Sequence, residues 1–228
     1  MIISHSHKFI FIKSYKTAGT SVEAALSQIC EGDDVVTPLS KYEFNKDESG
    51  EWVHRAMNEG DHKQHDDAAT IRASVPEAVW NEYTKISICR NPWDRAVSFF
   101  HWEYRGRPEA LDGRRWWHQL GIPYDEMKHI RPLFRDYVRD KLENNDKFYF
   151  EGDRLIADFM IRYEHLEEDF ARLCERLGVE HLRLPRLKTG IRKKKRHYSD
   201  YYDDESREIV ARKHANDIKT FGYTFERG

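Results

Sequence analysis

The stretch Phe9-Ile10-Phe11-Ile12-Lys13-Ser14-Tyr15-Lys16-Thr17-Ala18-Gly19-Thr20-Ser21-Val22 decides how this chain is read. From Lys8 to Lys13 it holds a continuous apolar run, the pattern of a strand buried on both faces, as in a parallel sheet. From Val22 the period changes: Val22, Ala25, Leu26 and Ile29 fall on one face of a helix. Between the two lies a polar turn containing Gly19. A strand that passes through such a turn into a helix leaves unpaired backbone N–H groups at the positive end of the helix dipole, a ready place for an anion. Lys16 adds a mobile positive charge, and Thr17, Thr20 and Ser21 add hydroxyls. The turn is not a nucleoside-triphosphate loop. Gly19 matches the second glycine of that pattern, but Ser14 stands where the first would be and Thr20 replaces the lysine. A nucleotide kinase or triphosphatase, with its Mg²⁺, is therefore disfavoured. Read alone, the turn serves equally well as a strand-to-helix corner whose Ser and Thr only cap the helix.

Working outward, the same pattern recurs. Lys85-Ile86-Ser87-Ile88-Cys89 reads as a second strand, ending at Arg90. Asn91 suits the N-cap and Pro92 the first turn of the helix that follows. That helix carries Trp93, Ala96, Val97 and Phe100 on one face, with Arg95 and Ser98 on the polar side. Arg90 lies at the C-terminal end of a parallel strand, the edge where open α/β sheets bind ligands, and arginine suits bidentate phosphate recognition. A third strand is expected at Asp158 to Arg162. Further helices are expected at Asp67 to Ser74, from Pro76 to about Tyr83, at Ile130 to Leu142, at Glu164 to Leu177 with Gly178 closing it, and at about Asp204 to Lys219. Residues 31–66, 105–128 and 188–202 read as irregular. Strands alternating with helices give an α/β fold, a three-layer arrangement around a central parallel sheet.

Composition bounds the partners. The 228 residues suit one domain, 1–228, able to bury a full core. Lys and Arg total 38 against 40 Asp and Glu, a net charge of -2, which argues against a globally basic nucleic-acid binder. It leaves room for a local basic pocket. Cys30, Cys89 and Cys174 form no disulfide framework, and no His or Cys cluster has metal-ligand spacing, so no metal is expected. The first apolar run is too short for a signal-peptide core, and no stretch approaches the length of a spanning helix. The expectation is a cytoplasmic protein that engages neither membrane nor nucleic acid.

Two motifs together carry a resemblance. Lys16-Thr17-Ala18-Gly19-Thr20-Ser21 resembles the 5′-phosphosulfate loop of sulfotransferases that use 3′-phosphoadenosine 5′-phosphosulfate (PAPS). Arg90-Asn91-Pro92-Trp93-Asp94-Arg95-Ala96-Val97-Ser98 resembles their 3′-phosphate motif, in which an Arg and a Ser eight residues later hold that phosphate. Ile161-Arg162-Tyr163-Glu164-His165-Leu166 is similar to a third family element, and the ending Phe221-Gly222-Tyr223 fits small members of the family. The likeness is strongest at 8–27 and 84–104, and it is closest to the branch that includes heparan sulfate 2-O-sulfotransferase, without a membrane anchor.

The resemblance implies a P-loop-like fold and sulfuryl transfer from PAPS to a hydroxyl or amine of a small-molecule or glycan acceptor. It implies that Lys16 steadies the leaving oxygen, that the amides and hydroxyls of Thr17, Ala18, Gly19, Thr20 and Ser21 hold the 5′ end, and that Arg90, Ser98 and Tyr163 hold the rest of the cofactor. Relatives often place a histidine ahead of a helix like the one at Asp67, which makes His65 the candidate general base, with His62 next and His54 and His101 behind. The run Arg192-Lys193-Lys194-Lys195-Arg196 is read as a lid over the anionic cofactor, with Lys195 and Arg196 as its contacts. Trp116, Trp117 and Tyr124 either stack on the acceptor or cover the core. Two rivals remain: a kinase-like phosphoryl transferase on a related fold, and a non-catalytic module for anionic ligands.

Overall fold

The structure is a computed structural model describing residues 1–39, 50, 54–106, 111–119, 125–187 and 196–228, and of residues 115–117 the backbone alone. In chain order the elements are β1 (Ile2–Ser4), β2 (Phe9–Phe11), α1 (Gly19–Leu26), β3 (Val35–Val36), α2 (Ala68–Ser74), α3 (Glu77–Glu82), β4 (Thr84–Cys89), α4 (Pro92–Glu103), α5 (Arg114–Gln119) and α6 (Glu126–Asp140). They continue as α7 (Asp146–Tyr149), β5 (Phe150–Glu151), β6 (Arg154–Leu155), β7 (Phe159–Arg162), α8 (Leu166–Leu177), α9 (Asp204–Lys213) and α10 (Ala215–Phe221). The chain divides into two compact units, Met1–Arg90 with Asn145–Thr189, and Asn91–Asn144 with Gly190–Gly228.

The first unit holds a five-stranded sheet in the order β3-β1-β2-β4-β7. The fold is α/β as expected, but the sheet is mixed rather than wholly parallel. β2, β4 and β7 run parallel, with Phe11 opposite Ile86 and Cys89 opposite Arg162. β1 lies antiparallel to β2, with Ile3 opposite Ile10, and β3 lies antiparallel to β1. The connection from Ser4 to Phe9 is too short for a crossover, so β1 can only fold back as a hairpin partner. One face of the sheet presents Phe9, Phe11, Ile86, Ile88 and Ile161 to Val22, Ala25 and Leu26 of α1 and to Phe170, Leu173 and Cys174 of α8. Ile3, Ile10, Ser87 and Cys89 alternate with these residues and are equally buried, which accounts for the unbroken apolar runs in the sequence. The α8 helix ends at Gly178 with φ 68°, a left-handed C-cap that glycine adopts without strain.

The second unit is helical. Its core joins Trp93, Val97 and Phe100 of α4 to Ile130, Phe134 and Val138 of α6 and to Ile209 and Val210 of α9. Asn91 caps α4 by accepting from the Trp93 and Asp94 amides, with Pro92 at the first turn. Three expectations are corrected here. α6 starts at Glu126 rather than Ile130, because the Asp125 side chain caps it by accepting from the Met127 and Lys128 amides. The final helix is broken into α9 and α10 at His214, whose ring is fully buried. Arg95 is not on a solvent side of α4. It is 1% exposed, with one guanidinium nitrogen against Glu143 O and 3.0 Å from His214 Nε2, while His214 Nδ1 lies 3.2 Å from Asp217 Oδ2. A buried arginine needs such partners.

Candidate active site

Three of the expected site elements converge at the C-terminal edge of the parallel strands in the first unit. β2 leads through Ile12 and Lys13 into the loop 14–21, β4 ends beside Arg90, and β7 ends beside Tyr163. The Arg90 guanidinium donates to Lys16 O at 2.9 Å and stacks over the Tyr163 ring with its carbon 3.8 Å from the centroid. One arginine thus ties the loop to the end of the neighbouring strand.

The loop is not an ordinary corner. Lys16 has φ 62° and Ala18 φ 67°, left-handed conformations that cost non-glycine residues energy and are held only where the surroundings dictate them. Turns of this kind make successive N–H groups converge into an anion-binding concavity. Ala18 occupies the N-cap of α1, and no side chain caps that helix. The alternative in which Ser and Thr merely cap it is therefore not what the loop does. Ser14 instead donates to Ile88 O at 2.6 Å and meets the Thr17 hydroxyl at 2.9 Å. The Thr17 hydroxyl is turned inward and spent on the loop itself. Ser21 Oγ accepts from the Leu187 amide at 3.4 Å. Gly19 is required for space rather than for φ, since a Cβ there would lie 2.8 Å from Lys13 Cγ.

Beneath the loop lies a buried charge cluster. Lys13 Nζ is 2.7 Å from Glu23 Oε2, with both side chains at most 2% exposed. The other Glu23 oxygen receives the Thr37 hydroxyl at 3.1 Å and the Met1 amino group. Burial opposes all these charges, yet the two cations hold the Glu23 carboxyl at about 2, below its ordinary 4.5. The pair links the strand end to the first turns of α1 and closes the base of the loop.

His65 sits against the loop. Its Nδ1 is 2.9 Å from Lys13 O, and since a carbonyl only accepts, Nδ1 carries the proton and Nε2 is left with the lone pair. The ring stacks on Tyr15 at 4.3 Å between centroids, and Phe148 meets the Tyr15 ring edge-on at 5.2 Å. Burial, aided by the Lys13 charge, lowers the His65 pKa to about 4, so the ring is neutral at pH 7. The other histidines are placed less suitably. His62 Nδ1 faces Asp66 Oδ2 at 3.4 Å. His54 is 8% exposed, and burial lowers its pKa to about 4. His101 belongs to the second unit, where it meets the Tyr201 hydroxyl at 2.9 Å.

Ser98 and Arg196 also belong to the second unit. Ser98 is half-buried on α4, and Arg196 pairs with Glu126 at 2.9 Å. Lys195 and Tyr124 lie outside the described residues, as do the side chains of Trp116 and Trp117. A groove of about 900 Å³ flanks α2 in the first unit, lined by residues including Asp67, Arg72, Trp80, Lys147, Glu151 and Arg154. Sequence reasoning missed Asn145, which grips the main chain of Tyr15, and the Lys13–Glu23 pair. A charged residue beside an otherwise apolar stripe was the only sign of the latter.

A strained loop without a side-chain cap stands at a parallel-strand edge, with a lysine on it and a stacked arginine across it. The chain matches the sulfotransferase family over residues 1–224, and it belongs to that family. The match runs through both compact units. No curated protein and no solved structure matches the chain. Among the described residues no helix is long and apolar enough to cross a membrane, and no group of His, Cys, Asp or Glu is arranged to hold a metal.

Proposed function

We propose that residues 1–228 act as one catalytic domain that moves a sulfuryl group from PAPS to a hydroxyl, or an amine, of a small-molecule or glycan acceptor, releasing adenosine 3′,5′-bisphosphate. The observation that carries this reading is the uncapped N-terminus of α1 behind left-handed Lys16 and Ala18, with Arg90 bonded to Lys16 O. The N–H groups of the loop, which neutral side chains would normally satisfy at a helix start, are there to receive the 5′ end of the donor.

The roles follow from the chemistry. As the acceptor oxygen bonds to sulfur, the bond from sulfur to the bridging oxygen breaks, and negative charge grows on the departing phosphate. Lys16 and the amides of residues 17–20 are the donors that stabilise this charge as it develops, the Ser21 amide donating instead to Ala18 O at 3.0 Å. His65 Nε2 takes the proton of the acceptor hydroxyl. Its low pKa keeps it unprotonated, and a polyanionic donor close by raises its basicity toward the useful range. Arg90, stacked on Tyr163, fixes the register of the donor. Ser98, Lys195 and Arg196 join the donor site on the strength of the resemblance alone. The test is release of adenosine 3′,5′-bisphosphate from PAPS over an acceptor panel of sugars, phenols and amines. Wild-type protein should show acceptor-dependent release that Lys16→Ala abolishes. Equal release by the variant would sink the reading.

A further inference from the structure

We infer that Asn145 is a positioning residue for the loop, setting the direction of the Lys16 amide; its catalytic consequence rests on the donor reading above. The Asn145 side chain is fully buried and stands at the N-cap of α7. Asparagine at that position ordinarily accepts from the first amides of its own helix. Here it makes no such bond. Its carboxamide instead spans 130 positions in sequence to Tyr15: Nδ2 donates to Tyr15 O at 3.0 Å, and Oδ1 accepts from Tyr15 N at 3.4 Å. One flat amide takes both main-chain groups of a single residue, as a neighbouring strand would.

The bond to Tyr15 O matters most. In a trans peptide the carbonyl and the next N–H point in opposite directions. Holding Tyr15 O on Asn145 therefore turns the Lys16 N–H away from Asn145. Arg90 holds Lys16 O at the other side of the same residue. The two peptide planes flanking left-handed Lys16 are thus each held by a side chain from elsewhere in the unit, the over-determination such a conformation requires. The next residues of α7 act on Tyr15 too. Phe148 packs against its ring, and the Lys147 ammonium sits 5.6 Å from the ring centre. A four-residue helix and its N-cap residue together direct three side chains onto one loop residue.

The experiment compares wild type with Asn145→Ser and Asn145→Asp in the full chain. Serine restores an ordinary cap to α7 but is too short to reach Tyr15. Asparagine-to-aspartate keeps an acceptor toward Tyr15 N and loses the donor toward Tyr15 O. Amide hydrogen exchange across residues 13–19 without ligand should quicken in both variants. Calorimetric affinity for adenosine 3′,5′-bisphosphate should fall about tenfold at unchanged stoichiometry. The aspartate variant should recover in part at acid pH, where a protonated carboxyl donates again. Unchanged exchange in the loop, wild-type affinity in Asn145→Asp at pH 7, or a fall in stoichiometry at constant affinity would each overturn the inference. If wild type itself does not bind the bisphosphate, the donor reading fails, and the exchange result alone decides whether Asn145 holds the loop.

Discussion

Replacing Glu23 with glutamine tests whether the loop rests on a buried ion pair. Glutamine matches glutamate in size, so the variant removes charge without opening a cavity. Lys13 Nζ, 2.7 Å from Glu23 in the wild type, loses that counter-charge while it stays buried. Breaking a buried pair in this way costs about 3–5 kcal/mol. For a chain of this size each kcal/mol moves the melting temperature by about 2–4 °C, so Tm should fall by about 6–20 °C. The pH dependence supplies a second reading. The Glu23 carboxyl is held at about 2, below its ordinary 4.5. A depressed carboxylate contributes stability that is complete above the ordinary value and is lost as pH falls through the folded one. The gap between wild type and variant should therefore persist down to about pH 5, widening as the Met1 amino group on the same carboxylate takes its proton near 6, and shrink as pH falls further toward 2. Burial draws the Lys13 ammonium down from its ordinary value, so its own desolvation opposes the pair. Lys13→Met added to Glu23→Gln should accordingly restore part of the loss. Thermal unfolding by circular dichroism measures all of this. A Tm within about 2 °C of wild type at neutral pH would refute the reasoning.

Other expectations follow from the same geometry. Lys16→Ala should lose most transfer activity while its melting curve stays near wild type, because the side chain is only partly buried. His65→Ala should slow turnover and leave bisphosphate affinity intact, and the same pattern from His62→Ala instead would assign the base to His62. Because His65 is neutral down to about 4 in the free enzyme, the acid limb of kcat/KM for PAPS should lie well below the ordinary imidazole range, and a limb near 6.5 in that parameter would contradict the burial of this ring. Gly19→Ala should destabilise the protein and weaken donor binding together, since its Cβ meets Lys13 Cγ at 2.8 Å; a variant indistinguishable from wild type in both would show that the contact relaxes freely.

The strand–turn–helix pairs were legible because their signals are local and abrupt. The apolar run of β2 gives way to a helical period within ten residues, and Asn91 with Pro92 marks a helix start unaided. β1 and β3 were not legible: three and two residues carry no alternation, and only pairing identifies them. Arg95 was misplaced because a helical stripe separates apolar from polar residues, whereas Arg95 is buried by partners more than forty positions away. The break at His214 has the same origin. Lys16, Arg90 and Tyr163 are singled out by motifs at strand ends, and the structure brings them together. Asn145 stands in the polar run Glu143-Asn144-Asn145-Asp146, which carries no motif. Its partner, Tyr15, is fixed by the tertiary fold, and sequence spacing has no access to that.

The most direct measurement is calorimetric titration of the wild-type chain with adenosine 3′,5′-bisphosphate and, separately, with ATP. Saturable one-to-one binding of the bisphosphate, weakened by Arg90→Ala and not matched by ATP, is the expected result. Tighter binding of ATP, or no binding of the bisphosphate, would contradict the assignment of the loop to a phosphosulfate donor.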